Sequence, residues 1–292
     1  MYEFIHARGN TYYIESPSKV GVFKLGSDEV CIIDAGNNRD MGKRIKKALD
    51  AEGLWLKSVY ITHAHADHIG GCGYLEGQYK CRIYSPGIEC DITRHTILLP
   101  ALLYGANPPA ELRHKFLLAE ESSAAPLTVE ALPEGFEAIS LSGHTPSMVG
   151  YRTPDDVLFL GDCLSSKEVL DKYGVGYVYD VSAYLSTLET VKRLEAALFI
   201  PSHTPPTEDI APLAEYNIKK VAEVCECITD ICAQPHTVDE IITEVFLRYG
   251  LTMNFEQYAL VGSTVRSYLT YLMDKKAIFP YFNESRLLFE RI

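Results

Sequence analysis

The stretch SVYITHAHADHIGG, residues 58–71, decides what kind of fold the sequence encodes. Its first four residues form an apolar run that is typical of the end of a buried strand, and its paired glycines indicate a tight turn. Between the strand and the turn lie three histidines and an aspartate within six residues. Polar groups crowded at a strand end require partners, so the stretch indicates a functional site.

The spacing of these four polar residues is typical of metal ligands. His63 and His65 are two residues apart, so that in extended backbone their side chains point the same way. Asp67 and His68 follow at the turn into a helix. Imidazole nitrogens and carboxylate oxygens bind zinc and neighbouring first-row metals. Four such groups cannot easily share one ion at this spacing, and we predict that they serve two.

Three further candidate ligands follow other strand-like runs. They are His144 in SLSGHTPS, Asp162 in LFLGDCL and His203 in FIPSHTPP. Loop positions directly after strands are where a sheet presents functional groups. The sequence therefore offers seven candidate metal ligands. His95, His114 and His236 lie outside these motifs, and we expect surface or helix-face roles for them.

Length, charge and cysteine usage limit the function classes. The 292 residues, of which 47% are hydrophobic, are enough for a sizeable core. The formal net charge of −12 opposes broad attraction to nucleic acid or anionic lipid. No apolar run has signal-peptide or membrane-helix length, and the eight scattered cysteines form no CxxC pair. We expect a cytoplasmic chain with reduced thiols and no membrane association.

The pattern of elements predicts a large first domain with an insert. Strand-like and helix-like segments alternate through the first 85 residues, and strands return after residue 127, followed by helices near 184–196 and 208–232. Residues 86–125 are apolar and read as mostly helical, which is too long for an ordinary connection. Within this insert we expect Leu102, Leu103 and Tyr104 to form an apolar pocket wall. Packing against a second copy of the chain in a homodimer is the alternative role for the insert.

A second, smaller domain is predicted after Pro235. Thr237 and Glu240 have the spacing of a capping box at the start of a helix. We expect two further helical segments, and then a hairpin over residues 277–292 that turns at residues 283–285. Three helices and a hairpin are the order of a winged helix. We therefore predict a metal hydrolase domain over residues 1–233 and a winged-helix-like domain over residues 234–292.

Taken in order, the motifs resemble those of the metallo-β-lactamase superfamily, with Asp34 of CIIDAG as the first of them. The resemblance spans about residues 10 to 230 and implies an α/β fold of the αββα sandwich type. It also implies a ligand set in which each of two ions has three ligands and a seventh residue bridges them. The ligands of one ion would be His63, His65 and His144, and those of the other Asp67, His68 and His203. Asp162 would bridge the two ions. The expected cofactor is two zinc ions per chain, with iron or manganese as alternatives.

The resemblance further implies a chemistry for the two ions. Zinc lowers the pKa of a bound water to about 7, so that hydroxide between the ions would attack an ester or thioester carbonyl of a small molecule. No serine or cysteine nucleophile is then required, and we expect Cys163, beside Asp162, to be structural. Asp67 is the expected catalytic residue, because its carboxylate can both bind metal and orient the hydroxide.

Several branches of the superfamily remain open, because this fold hosts many reactions. GDCLS around Asp162 and the position of Tyr173 are similar to glyoxalase II-like thioesterases, whereas the PSHTPP context of His203 departs from their Gly-His-Glu-Tyr motif. No counterpart of their C-terminal Arg/Lys pair for glutathione is recognisable. His65 stands where flavodiiron proteins have glutamate, which favours hydrolysis. Ser165 stands where acyl-homoserine lactonases often have tyrosine.

Two alternatives come from other reaction classes. The C-terminal unit resembles the β-lactamase-like-2 branch, which includes an endoribonuclease, so phosphodiester cleavage in RNA is one alternative. The unit has a modest basic edge of Lys275, Lys276, Arg286 and Arg291, but a packing or dimer role with ordinary solvated cations is its simpler interpretation. A persulfide dioxygenase with a single iron is the other alternative, because its motifs overlap with those found here. Metal content and oxygen consumption distinguish this dioxygenase from the hydrolases.

Overall fold

The first sheet of the protein has seven strands, which neighbour one another in chain order. The structure is a computed structural model that describes residues 2–292. The seven strands are β1 Phe4–Arg8, β2 Thr11–Ile14, β3 Val20–Lys24, β4 Glu29–Ile33, β5 Trp55–Tyr60, β6 Arg82–Ser85 and β7 Ala125–Pro126. Pairs from β1 to β4 are antiparallel, and pairs from β4 to β7 are parallel. The carboxyl ends of β4, β5 and β6 therefore lie at one edge of the sheet.

A second sheet of four strands has the order β11-β10-β9-β8. Its strands are β8 Glu137–Ser140, β9 Val149–Arg152, β10 Val157–Gly161 and β11 Leu198–Pro201. The pair β10 and β11 is parallel, so these two strands also end at a common edge. Side chains of both sheets form one apolar cluster that includes Phe23, Tyr60, Tyr151 and Phe159. The two sheets thus pack face to face.

Helices cover the outer face of the first sheet. The helices of this part are α1 Arg39–Ala51, α2 Ala66–Ile69, α3 Cys72–Tyr79, α4 Gly87–Arg94 and α5 Leu98–Tyr104. Asn38 caps α1 by accepting a hydrogen bond from Met41 N, and α1 buries Ile45 and Leu49. These residues share an apolar cluster with Leu56 of β5 and with neighbouring strands. The order helix, sheet, sheet confirms the α/β sandwich that the sequence predicted.

The described residues divide into two compact units. The first comprises the chain up to Leu141 together with Pro146–Cys163 and Leu194–Ile210, and the second comprises Ser142–Thr145, Leu164–Arg193 and Ala211–Ile292. The second unit contains α6 Lys167–Tyr173, α7 Val181–Val191, α8 Ala211–Ile231, α9 Val238–Arg248, α10 Phe255–Asp274, β12 Ile278–Asn283 and β13 Arg286–Arg291. The sequence assigned α6, α7 and α8 to the first domain, and its boundary at residues 233 and 234 stays a prediction.

The C-terminal segment agrees with the sequence in two features and differs in one. Thr237 and Glu240 form the predicted capping box, and β12 and β13 form the predicted hairpin, with Asn283 paired to Arg286. The prediction of two further helical segments between α9 and the hairpin is wrong, because a single helix of 20 residues, α10, lies there. Asn254 caps α10, and no proline interrupts it. The winged-helix similarity of the segment stays a prediction.

The insert contains less helix than the sequence predicted. It holds α4, α5 and a short 3-10 turn at Ala110–Leu112, and its remaining residues have irregular backbone. Helix α5 buries Leu103, whereas Leu102 and Tyr104 are exposed. The apolar wall beside the metals stays a prediction. None of the helices described in residues 2–292 is both long and apolar enough to span a membrane.

Candidate metal centre

Asp34 joins three backbone segments at the edge where β4 and β5 end. It follows β4 with a φ of 63°, and its amide donates to the carbonyl of Tyr60 at 3.0 Å. Its buried carboxylate accepts hydrogen bonds from Thr62 N at 2.8 Å, from Thr62 Oγ1 at 2.9 Å and from His68 Nδ1 at 2.8 Å. The predicted first motif therefore fixes both the loop after β5 and the orientation of the His68 ring.

The hydrogen bond from His68 to Asp34 determines which nitrogen of His68 faces the site. Because Nδ1 carries the donated proton, Nε2 presents its lone pair on the other side of the ring. That Nε2 lies 3.2 Å from Asp162 Oδ1 and 3.5 Å from Asp67 Oδ2. His68 is completely buried. The side chain is thus held in the orientation that a metal ligand requires.

His203 has the same arrangement at the end of β11. Its Nδ1 donates to the carbonyl of Pro17 at 2.7 Å. Its Nε2 lies 3.1 Å from Asp162 Oδ2 and 3.2 Å from Asp67 Oδ2. The potential ligand atoms of four predicted residues all lie within 4.8 Å of one another, namely those of Asp67, His68, Asp162 and His203.

His63 and His65 lie beside this group in the first unit. Thr62 donates its hydroxyl proton to Asp34, so His63 Nδ1 donates to Thr62 Oγ1 across 3.0 Å. His63 Nε2 then faces Asp162 Oδ2 at 3.9 Å. The potential ligand atoms of His63, His65 and Asp162 also lie within 4.8 Å of one another. The first unit therefore brings together six of the seven predicted ligands.

His144 lies on the turn Ser142–Thr145, which belongs to the second unit. Its Nδ1 donates to the carbonyl of Tyr177 at 3.1 Å, as His203 Nδ1 donates to the carbonyl of Pro17. The turn is tightly placed, because Gly143 has a φ of 124° and a Cβ there would lie 2.2 Å from Tyr184 N. Only glycine allows this approach. Ligation by His144 stays a prediction.

The charges of the group favour a bound cation. Burial raises the pKa of Asp67, but His68 and His203 outweigh it and hold this pKa well below its usual range. Burial likewise opposes ionisation of Asp162, and the same two histidines keep its pKa well below the usual range. The charge of Asp162 raises the pKa of His203 to about 10. Two ionised carboxylates thus attract protons to imidazoles where a metal ion would supply the positive charge.

The donor set fits a divalent metal ion. In His63, His68, His144 and His203, Nδ1 is bonded to a protein acceptor, which leaves Nε2 as the ligand atom. Asp67 and Asp162 complete a set of nitrogen and oxygen donors that suits zinc and neighbouring metals. Cys163 is fully buried and burial raises the pKa of its thiol, which agrees with the expected structural role.

Sequence reasoning missed the groups that orient the imidazoles. Thr62 directly precedes His63, so a hydroxyl next to a candidate ligand was the available signal. Pro17 acts through its backbone carbonyl, which no side-chain pattern reveals. Lys19 is buried and its ammonium donates to the carbonyl of Thr204, which holds the turn after His203. Contacts of this kind depend on the fold and have no local sequence signature.

Comparisons with known proteins agree with the motifs. A family model described as the metallo-beta-lactamase superfamily matches residues 9–203. A hydroxyacylglutathione hydrolase from Haemophilus ducreyi is 29% identical over 153 residues, which cover 51% of this chain and 52% of that protein. A probable metallo-hydrolase from Bacillus subtilis is 26% identical over 189 residues, covering 64% of this chain and 83% of that protein. The chain thus spans about half the length of the Haemophilus relative.

Solved structures show the same fold. A metallo-beta-lactamase family protein from Thermus thermophilus superposes with a TM-score of 0.73 and 18% sequence identity. The superposition covers 97% of this chain and 99% of that protein. At this identity the similarity shows the fold alone.

Proposed function

Because the chain belongs to the metallo-beta-lactamase superfamily, we propose that it is a hydrolase with two zinc ions that acts on an ester or thioester carbonyl of a small molecule. One observation carries this proposal. The imidazoles of His68 and His203 are each fixed through Nδ1, and their Nε2 atoms converge on the carboxylates of Asp67 and Asp162. An arrangement that served stability alone would not need every Nε2 directed at shared carboxylates.

The proposed ligands divide into two sets that share one carboxylate. The sets are His63, His65 and His144 for one ion, and Asp67, His68 and His203 for the other, with Asp162 common to both. When bound, zinc supplies Lewis acidity toward a carbonyl and lowers the pKa of water to about 7. The chain itself then needs to orient the water and the substrate. It requires no side-chain nucleophile, in agreement with the buried thiol of Cys163.

Asp67 is the proposed catalytic residue. Its side chain is 37% exposed, whereas that of Asp162 is 12% exposed, so water and substrate reach Asp67 more easily. Partial desolvation raises its pKa, but His68 and His203 outweigh this and hold the pKa well below the usual range, so the carboxylate is ionised at neutral pH. An ionised carboxylate accepts a hydrogen bond from the attacking water and orients its lone pair toward the carbonyl.

The proposed substrate class is a thioester. The relatives named hydroxyacylglutathione hydrolase support this choice, as does the GDCLS context of Asp162. Glutathione itself is not part of the proposal, because His203 lies in PSHTPP rather than in the motif of those enzymes. The proposed reacting group is thus a thioester carbonyl, with a thiol other than glutathione as the leaving group equally compatible.

Phosphodiester cleavage receives less support from the C-terminal unit. Arg286 is paired with Glu240 at 2.9 Å, and Arg291 with Asp230 at 3.7 Å. These carboxylates offset two of the four cations that formed the predicted basic edge. Binding of RNA would need unpaired positive charge against a net charge of −12.

The test is hydrolysis of a thioester panel by the protein loaded with zinc, with phosphodiesters and single-stranded RNA as competing classes. We expect turnover of thioesters without oxygen uptake. Asp67→Asn is expected to lower kcat by on the order of 100-fold or more while total zinc falls far less. Near-normal turnover by Asp67→Asn would contradict the role of Asp67. Activity that requires iron and consumes oxygen would identify a dioxygenase instead.

A further inference from the structure

Glu89 is a carboxylate buried in the first unit, on helix α4 of the insert, and it is 1% exposed. A carboxylate removed from water requires hydrogen-bond donors to offset its lost hydration. Glu89 Oε2 accepts a hydrogen bond from Ala64 N at 3.0 Å, and its Oε1 accepts one from Ser147 N at 3.0 Å. The two donors are backbone amides of two separate loops.

Both loops carry predicted metal ligands. Ala64 lies between His63 and His65, and Ser147 lies three residues after His144. The two loops lie on opposite sides of Glu89 in the sequence. Ala64 precedes Glu89 by 25 residues, and Ser147 follows it by 58 residues. A single side chain therefore ties the backbone between His63 and His65 to the backbone of the segment that follows His144.

The start of α4 is shaped to bring Glu89 to this position. Gly87 has a φ of 44°, and a Cβ there would lie 2.6 Å from Ser147 Oγ and 2.8 Å from Ser147 Cβ. Glycine thus allows the first turn of α4 to approach Ser147 closely. Farther along the helix, Thr93 Oγ1 donates to the carbonyl of Glu89 at 2.7 Å, and Arg94 Nε donates to the carbonyl of Ala124 at 2.5 Å. The helix is fixed independently of its contact with the two loops.

We propose that Glu89 is a positioning residue for the metal centre. Its carboxylate sets the spacing between the His63–His65 loop and the segment after His144, and it contacts neither metal nor substrate. This inference rests on the proposed function for the identity of the ligands. It gives the insert a role at the site that differs from a pocket wall.

Glu89→Gln is the informative substitution, because it preserves the shape of the side chain. An amide has one acceptor oxygen, and its NH2 group would face the second backbone N–H. Two donors then oppose each other in a buried position, so one of the two loops must move away. Thr93→Val is the matched control, since it removes the buried hydrogen bond to the backbone carbonyl of Glu89 and leaves the Glu89 carboxylate with both loop amides.

The experiment compares the wild type, Glu89→Gln and Thr93→Val by two measurements. The first is hydrogen exchange of the metal-free protein at residues 62–66 and 147–148. The second is the affinity for Co2+ and the visible absorption of the bound ion. For Glu89→Gln we expect exchange to rise on the order of 10-fold in one of the two segments. We expect Co2+ affinity to fall roughly 10- to 100-fold, with a changed absorption spectrum.

Thr93→Val is expected to lower the Tm but to leave exchange in the two segments and the Co2+ spectrum as in the wild type. If Glu89→Gln lowered the Tm to the same degree and changed neither readout, the positioning role would be refuted. Glu89→Asp provides a second variant should the glutamine variant not fold. Its shorter side chain keeps both oxygens but reaches one loop only, and unchanged exchange and Co2+ binding in that variant would equally overturn the proposal.

The two proposals fail in different ways. A wild type that binds Co2+ but hydrolyses no thioester would contradict the proposed function and leave the Glu89 measurements decisive. A wild type that binds no metal would contradict both.

Discussion

Asp34→Asn tests how the imidazole of His68 is held. The carboxylate accepts from Thr62 N at one oxygen, and from Thr62 Oγ1 and His68 Nδ1 at the other. An asparagine amide group at the first position would face the Thr62 N–H, donor against donor. At the second position the amide NH2 would donate to His68 Nδ1. The imidazole proton then lies on Nε2, which can no longer bind a metal ion through its lone pair. Either outcome disturbs the site without changing the volume of the side chain.

The size of the effect follows from two estimates. Loss of a hydrogen bond that involves a charged group costs about 1.5–3 kcal/mol. Removal of the partner that orients a histidine ligand lowers metal affinity roughly 10- to 100-fold, which corresponds to about 1.4–2.7 kcal/mol. The two estimates agree, and we expect the loss at the ion that His68 and His203 are proposed to bind. The ion proposed for His63 and His65 should be retained more strongly.

Competition with a chromophoric chelator measures both zinc affinities. Asp155→Asn is the matched control, because Asp155 also accepts two hydrogen bonds in the first unit, from Asn10 N and Thr11 Oγ1, both at 2.8 Å, but contacts no predicted ligand. We expect one weakened affinity in Asp34→Asn and none in Asp155→Asn. Two unchanged affinities in Asp34→Asn would refute the argument from the His68 proton.

Three further predictions concern a glycine beside Thr62, the apolar insert and the capping box of α9. Gly161→Ala is expected to lower the free energy of unfolding by more than about 1 kcal/mol, because its φ is 57° and a Cβ there would lie 3.1 Å from Thr62; an unchanged urea midpoint would contradict this. Replacing Leu103 and Tyr104 by alanine should raise KM for an apolar thioester with unchanged zinc content, whereas dissociation into monomers with unchanged KM would assign the insert to assembly. Backbone and side-chain hydrogen bonds of Thr237, together with Arg286, lower the pKa of Glu240, so its contribution to stability is present above pH 4.5 and is lost as the pH falls. Glu240→Gln should therefore lower the urea midpoint at pH 7 more than at pH 3.5, and an equal change at both would contradict the capping argument.

The sequence predicted the elements that depend on local patterns. The apolar run before His63 formed β5, and the spacing of Thr237 and Glu240 formed a capping box. His63, His65, Asp67 and His68 follow β5 of the first sheet. Asp162 and His203 follow the parallel strands β10 and β11 of the second sheet, which end at a common edge. These features require only short-range information or a general rule of sheet topology.

The remaining features depend on contacts between distant residues. No local pattern shows that Pro17 accepts a hydrogen bond from His203, or that Glu89 accepts from Ala64 and Ser147. The prediction of two helical segments where α10 is continuous did not account for the packing of α10 against α9, where a Cβ on Gly262 would lie 3.2 Å from Ile242. The grouping of α6 and α7 with the C-terminal helices likewise reflects packing that spacing along the chain does not reveal.

We predict that the chain binds two metal ions, one through each of the two proposed ligand sets. Zinc analysis of the wild type and of the double variant His68→Ala/His203→Ala tests it most directly. The wild type is expected to hold close to two zinc ions per chain and the double variant close to one, because only the set of His63, His65 and His144 stays complete. One tightly bound zinc ion in both proteins would show that His68 and His203 are not ligands and would contradict the dinuclear site.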